Sequence, residues 1–171
     1  MLSPPVRAGD SNAVHRVVDQ VKHWARWFNI REIQNTSSDL KVRFRLKPPK
    51  RLSRKKRKKD DLFVTLPPNQ EFSIEVNNRS KAKLYIAVLN LSSDGSVDVI
   101  YPTGTQQEYV APRGKWRKRL KTWLPENKTS VRDVIKLVAT TQYADFSFLR
   151  QSAVRGGKRL PATRGSSARN P

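Results

Sequence analysis

The pattern of apolar residues near the start of the chain predicts one amphipathic helix. The apolar residues that recur three and four positions apart are Val14, Val17, Val18, Val21, Trp24 and Phe28. This spacing is that of one face of an α-helix, and we expect that face to be buried. Ser11 or Asn12 can cap the helix, which is predicted to end near Asn29.

Alternation of apolar and polar residues predicts that most of the remaining chain is β-strand. Between positions 41 and 47 the apolar residues Val42, Phe44 and Leu46 alternate with Lys41, Arg43, Arg45 and Lys47. One side of this strand is therefore apolar, and the other is a row of positive charge. Two further strands, 62–66 and 72–76, are predicted to form a hairpin across Pro67-Pro68-Asn69.

The segment 83–91, KLYIAVLNL, is apolar at nearly every position. A strand of this kind is predicted to be central in its sheet and covered on both faces. Asp94-Gly95 then supplies the residues that a tight turn needs, so 96–101 should form a hairpin with it. Later strands are predicted at 107–110, 115–120 and 133–140.

These elements together predict a mainly β fold, a β-sandwich-like (immunoglobulin-like) antiparallel domain with one N-terminal amphipathic helix. We expect a flexible N-terminus over 1–11 and a folded domain over 12–149, with a basic loop at 48–61. A disordered basic tail is predicted over 150–171. The tail contains Gly, Ser, Pro and Arg without apolar periodicity, so it cannot bury enough surface to offset the entropy lost on folding.

Residues 72–103 carry a strand, a turn, the run LYIAVLNL, a DG turn and a closing Tyr-Pro, in that order. This block resembles the small β domain, itself of unknown function, that lies C-terminal to caspase-like (metacaspase and orthocaspase-type) peptidase domains in bacteria. The upstream segment HRVVDQVKHWARWFNIREIQNTSSDLKVRF is similar to the helix and connector that precede that domain. The downstream segment DVIKLVATTQYADFSFL fits the same pattern.

The resemblance covers about residues 12–149, and it implies an accessory or regulatory module of a caspase-like peptidase system. Its implied partner is a caspase-like peptidase domain, either in the same chain or encoded separately. The implied contact surface is the helix around Trp24, Trp27 and Phe28. From its position on the helix, Trp24 is expected to lie in the core. Trp27 lies off the main apolar stripe, where it either extends that stripe or offers a contact to a partner domain.

The chain contains no cysteine, so it cannot itself be a cysteine peptidase, which needs a thiolate nucleophile. It can also form no disulfide, which suits a cytoplasmic protein. His15 and His23 are eight residues apart, too far along a helix to share a zinc ion. We therefore predict no enzyme activity, no metal site and no cofactor. No apolar run has the length of a signal peptide core or a membrane span, so the protein is expected to be soluble.

Positive charge is concentrated in the sequence: 35 Lys and Arg residues against 14 Asp and Glu give a net charge of +21. Two runs, 50–59 and 113–121, supply the candidate polyanion-binding residues. These are Lys50, Arg51, Arg54, Lys55, Lys56, Arg57, Lys58, Lys59, Arg113, Lys115, Trp116, Arg117, Lys118 and Arg119. Such runs attract RNA, DNA, anionic lipid or acidic protein surfaces, because binding releases condensed counterions or neutralises repulsion.

Two alternatives stay open for these basic runs. The run at 50–59 is either a polyanion site or a solvated loop that protects a sheet edge from aggregation. Trp116 either stacks on the bases of a single strand among its basic neighbours, or packs on the sheet while the cations point outward. The second candidate function is accordingly a non-specific nucleic-acid-binding module that acts through clustered Lys and Arg.

Overall fold

The computed structural model describes residues 12–49, 64–104, 108–126 and 128–154. In this part of the chain it contains helix α1 (Ala13–Glu32), seven β-strands and a 3-10 helix (Ser147–Leu149). The strands are β1 (Val42–Lys47), β2 (Glu71–Asn78), β3 (Leu84–Ser92), β4 (Val97–Tyr101), β5 (Tyr109–Val110), β6 (Lys115–Lys121) and β7 (Asp133–Thr140). The predicted mainly β fold class is confirmed for these residues, which form two antiparallel sheets and one N-terminal helix, consistent with a β-sandwich-like fold.

Several predicted segments lie outside the described residues. These are the flexible N-terminus at 1–11, the basic loop from residue 50 onward, and the tail from residue 155 onward. The described residues divide into two compact units, each built on one sheet. The first unit contains α1, β3, β4, β7 and the 3-10 helix, and the second contains β1, β2 and β6.

Strand β3 organises the first unit, because it pairs with both β4 and β7. Leu89 and Val88, which point to opposite faces of the strand, have no exposed surface. The prediction of a central strand buried on both faces is therefore confirmed. The hairpin from β3 to β4 is confirmed too. Gly95 has φ of 84° at its turn, a conformation that glycine adopts without steric cost.

Helix α1 packs on the sheet of the first unit through a different face from the one that the sequence predicted. Trp27 and Ile30 are buried in a cluster whose other members are Ala87, Leu89, Leu91, Val97, Val99, Phe146 and Leu149. Four valines and Phe28, all predicted to be buried, are instead exposed, Val14 by 70% and Val21 by 64%. The helix carries two apolar stripes, and the stripe with the large indole has more apolar surface to bury against the sheet.

The second unit is a three-stranded sheet in which β2 lies between β1 and β6. The predicted hairpin between 62–66 and 72–76 is wrong for the described residues 64–66, which form no strand. Both edges of β2 are occupied by β1 and β6, and Pro67-Pro68 offers no N–H group to a ladder. The predicted turn at Asn69 does occur, with φ of 58°.

A buried asparagine closes one end of this sheet. Asn78 is 1% exposed, and its Nδ2 group donates hydrogen bonds to the carbonyl oxygens of Ala82, Val110 and Ala111, at 2.8, 3.1 and 3.0 Å. Its Oδ1 atom accepts a hydrogen bond from the Ser80 N–H group at 2.9 Å. The side chain therefore satisfies four backbone groups near the end of β2. These hydrogen bonds fix the position of residues 110–111, which lead into β6.

Ordered chain extends beyond Arg150, where the tail was predicted to begin. Gln151 exchanges two backbone hydrogen bonds with Val97, at 2.9 and 3.0 Å. The Val154 N–H group donates to the Asp94 carbonyl oxygen at 3.2 Å. The edge of β4 and the β3–β4 turn supply these partners, and composition alone could not reveal them.

The burial of α1 yields a first prediction, on stability. Trp27→Ala should lower the free energy of unfolding by about 3–5 kcal/mol, because it removes a buried indole from the core cluster. Val17→Ala, in the exposed stripe, should change it by less than about 0.5 kcal/mol. Urea denaturation followed by far-UV circular dichroism measures both values. Equal losses for the two variants would contradict the placement of the helix.

Candidate functional site: a cationic face of the three-stranded sheet

The register of the second unit's sheet places two rows of basic side chains on one face. In β1, Arg43, Arg45 and Lys47 lie opposite Asn77, Glu75 and Ser73 of β2. In β6, Lys115, Arg117, Arg119 and Lys121 lie opposite Asn77, Glu75, Ser73 and Glu71. Because side chains alternate between faces along a strand, all of these residues share one face. We call it the cationic face, with a β1 row and a β6 row.

All seven basic residues of the cationic face are exposed. Two carboxylates, Glu71 and Glu75, lie on the same face, so the face carries a formal charge of +5. The two rows are separated by β2, which places their backbones about 10 Å apart, or two strand spacings. Successive basic residues along one row are about 6.6 Å apart, since they occupy every second position.

Glu75 joins the two rows at the middle of the face. Its carboxylate lies 2.6 Å from the Nζ atom of Lys47 in the β1 row and 3.7 Å from the Nε atom of Arg117 in the β6 row. Arg117 also donates a hydrogen bond to the Ser73 hydroxyl at 3.0 Å. The hydrogen bond from Lys47, aided by the positive charges of Lys47, Arg117 and Arg45, holds the pKa of Glu75 below its ordinary value.

The structure separates the predicted basic cluster at 113–119. Lys115, Arg117 and Arg119 lie on the cationic face, whereas Trp116 and Lys118 lie on the opposite face, in register with Val76 and Ile74. Trp116 is half-buried there, so it packs on the sheet and forms no stacking platform among its basic neighbours. The physical reason is the two-residue period of a strand, which sends neighbouring side chains to opposite sides.

Lys118 therefore belongs to the largely apolar face of this sheet. Partial burial lowers the pKa of its ammonium group, because a charge is less well solvated there than in water. Arg113 lies outside the strand, in the turn before β6, with φ of 60°. Both residues are set apart from the two rows. The predicted candidates from Lys50 to Lys59 lie outside the described residues.

The basic residues of β1 were not among the predicted candidates, and neither was Lys121, although it belongs to the basic run at 113–121. The alternation in 41–47 did indicate a row of positive charge, and that was the available signal. What it could not indicate is that β2 brings this row beside the row of β6, from more than sixty positions away along the chain.

The three candidate contact residues on α1 differ in their exposure. Trp27 is buried at 7% exposure, so it cannot serve as a contact in the folded unit, and Trp24 packs partly against the same core. Phe28 is 47% exposed. The exposed apolar surface of the helix is instead a row that we call the valine stripe, which consists of Val14, Val17, Val18 and Val21 and continues to Phe28.

Within the described residues, no group of three or more His, Cys, Asp or Glu side chains is placed to hold a metal ion. His23 forms a hydrogen bond through Nε2 with the Gly95 carbonyl oxygen at 2.9 Å, which links α1 to the β3–β4 turn. In the same part of the chain, no helix combines the length and apolar character needed to cross a membrane.

Comparison with known protein families, with curated proteins and with solved structures finds no match to this chain. The resemblance to the β domain of caspase-like peptidases therefore stays a hypothesis. The fold class and the cationic face do not depend on it, since both come from the strand pairing itself.

The contacts of Glu75 yield a second prediction, on its titration. A carboxyl whose pKa is lower in the folded state adds stability above its unfolded pKa of about 4.3. That stability is lost as the pH falls through the folded pKa. NMR titration of the Glu75 side chain should show a pKa below about 4.3, and Lys47→Gln should raise it.

The matched control is Lys22→Gln, which removes an exposed cation from α1 and should leave the Glu75 pKa unchanged. An ordinary Glu75 pKa in the parent protein, unmoved by Lys47→Gln, would show that the ion pair does not form in solution.

Proposed function

We propose that this protein is a non-catalytic binding module that holds nucleic acid on its cationic face. The observation that carries the proposal is the register of β2 with β1 and β6, which brings seven exposed basic residues onto one face. A cytoplasmic setting, which the sequence predicts, would supply such a ligand. The physical basis is charge neutralisation with release of condensed counterions, which dominates the affinity of basic surfaces for nucleic acids.

The arrangement favours a linear polymer of phosphates over an isolated anion. Basic residues follow one another along each strand at regular intervals, as phosphates do along a nucleic acid backbone. Four of the seven are arginines, whose planar guanidinium groups can bind phosphate oxygens in a bidentate manner. Between the two rows, β2 contributes the partly exposed amide of Asn77, whereas Ser73 is buried and its hydroxyl accepts a hydrogen bond from Arg117.

The proposal implies recognition without sequence preference. Contacts from Lys and Arg to phosphates position a protein on nucleic acid but carry no direct information about base sequence. Affinity should therefore depend steeply on salt, and six or more phosphate contacts would weaken binding about a thousandfold or more between about 50 and 200 mM salt.

A third prediction tests the cationic face by charge removal. The variant Arg43→Gln/Arg45→Gln should weaken nucleic acid binding and reduce the slope of log affinity against log salt by about 2, since each lost phosphate contact lowers it by about 1. Fluorescence anisotropy with short labelled oligonucleotides, titrated over salt concentration, measures both effects.

The matched control is Lys22→Gln/Lys81→Gln, which removes the same charge from exposed positions off the face. Its salt slope should stay near that of the parent protein. If the two double variants lose affinity equally, binding reflects net charge alone, and the cationic face is not the site.

A second candidate function is favoured by the valine stripe. Its positions 14, 17, 18 and 21 have the i, i+3, i+4, i+7 spacing by which a helix lies in an apolar groove of a partner. The resemblance found in the sequence names the kind of partner, a caspase-like peptidase domain. We propose that, as an accessory module, the protein would use this stripe, and not Trp24 and Trp27.

A fourth prediction tests this second function. Val17→Asp/Val21→Asp should abolish co-purification with a recombinant caspase-like peptidase domain from the same organism, because it places charges in the apolar contact. Arg43→Gln/Arg45→Gln should leave co-purification intact, since it lies in the other unit. If the Val17→Asp/Val21→Asp variant still co-purifies with the peptidase domain and its circular dichroism spectrum is unchanged, the valine stripe is not the contact.

A further inference from the structure

We infer that the cationic face is built for a double-stranded nucleic acid, with one phosphate backbone along the β1 row and the other along the β6 row. This inference rests on the proposed function and specifies its ligand. Three features of the face carry it: the presence of two rows, the chemistry of the strand between them, and the types of side chain on the face.

The first feature is the separation of the rows. Arg43 and Lys115 both lie beside Asn77 of β2, from opposite sides, and Arg45 and Arg117 both lie beside Glu75. Their strands are about 10 Å apart, a distance comparable with the groove widths of B-DNA, about 6 and 12 Å. Long Lys and Arg side chains can adjust this span by several ångströms, so two backbones that flank one groove can be bound together.

The second feature is the negative charge between the rows. Glu75 and Glu71 occupy the central strand, so a single phosphate backbone that lay along the middle of the face would meet two carboxylates. A single backbone that lay along one row would leave the other row unused. A duplex avoids both penalties, because its two backbones lie over the cations and a groove lies over the carboxylates.

The third feature is the absence of aromatic side chains from the described face, whose positions are occupied by Arg, Lys, Glu, Ser and Asn. Proteins that bind single strands gain much of their affinity by stacking bases on aromatic rings. In this sheet, Phe44, Phe72 and Trp116 all lie on the opposite face. A single strand would therefore gain affinity only from the electrostatic attraction of its phosphates, and this contribution is smaller per phosphate than for a duplex.

The experiment compares four labelled ligands at physiological salt: a short DNA duplex, an RNA duplex of equal length, a single strand of that length, and a single strand with as many phosphates as the duplex. Fluorescence anisotropy should show at least one duplex binding about tenfold more tightly than either single strand. The two duplex arms distinguish a DNA ligand from an RNA ligand.

Row-specific variants make the test sharper. Arg43→Gln/Arg45→Gln removes two cations from the β1 row, and Lys115→Gln/Arg119→Gln removes two from the β6 row without touching the Glu75 ion pairs. Each should reduce duplex affinity by a similar factor and lower the duplex salt slope by about 2. Glu75→Gln should strengthen single-strand binding more than duplex binding, because it removes the charge that opposes a central backbone.

The outcomes separate the two proposals. Equal or tighter binding of the phosphate-matched single strand, or duplex binding that depends on only one row, overturns the duplex inference and leaves the proposed function standing. Failure of all four ligands to bind at low salt, with the fold intact by circular dichroism, overturns both.

Discussion

The register of β2 with its two neighbours is the constraint on which the second unit depends. Ile74 and Val76 have no exposed surface, and a slip of one residue would carry both to the solvent side. Each buried side chain of this size is worth about 1.5–3 kcal/mol, so the register is strongly specified. Asn78 adds to it, because a shift would break its hydrogen bonds to three carbonyl oxygens. The same register decides which cations share a face, so the candidate site is a consequence of the packing of the apolar side.

The cationic face also has a cost for the fold, because like charges beside one another on a sheet destabilise it. Glu75 offsets part of that repulsion, since it contacts one cation of each row. A basic surface of this kind is more stable at high salt, where repulsion is screened, although high salt also weakens its attraction for a polyanion. The stability of the fold and the proposed binding of a polyanion are therefore expected to respond to salt in opposite directions.

Helix α1 carries two apolar stripes, of which one is buried against the sheet of the first unit and the other is exposed. Trp27 and Ile30 attach the helix to the sheet, and aromatic contacts from Trp27 to Trp24 and Phe28, with ring centroids 5.9 and 5.1 Å apart, stiffen that end. The valine stripe makes no comparable contribution to the core cluster. An apolar row of this length on the surface is more typical of a contact for a partner than of a solvated helix. The helix and the cationic face thus offer two different kinds of surface on two different units.

Local patterns in the sequence were enough to predict the fold class, the helix and the central strand β3 with its hairpin. They also revealed the concentration of positive charge. These follow from local patterns, since a period of 3.6 or 2 and a tight-turn dipeptide act within a few residues. For the candidate site, alternation in 41–47 and the basic run at 113–121 were both visible. Local patterns could not predict that β2 lies between β1 and β6 and so brings their basic residues onto one face. They also could not predict that Trp116 and Lys118 lie on the opposite face, or that Trp27 is buried in the core in place of the valines. Each of these features depends on contacts between segments that are distant in the sequence. Such contacts are determined by the pairing that buries the most apolar surface and satisfies the backbone hydrogen-bonding groups, not by any local pattern.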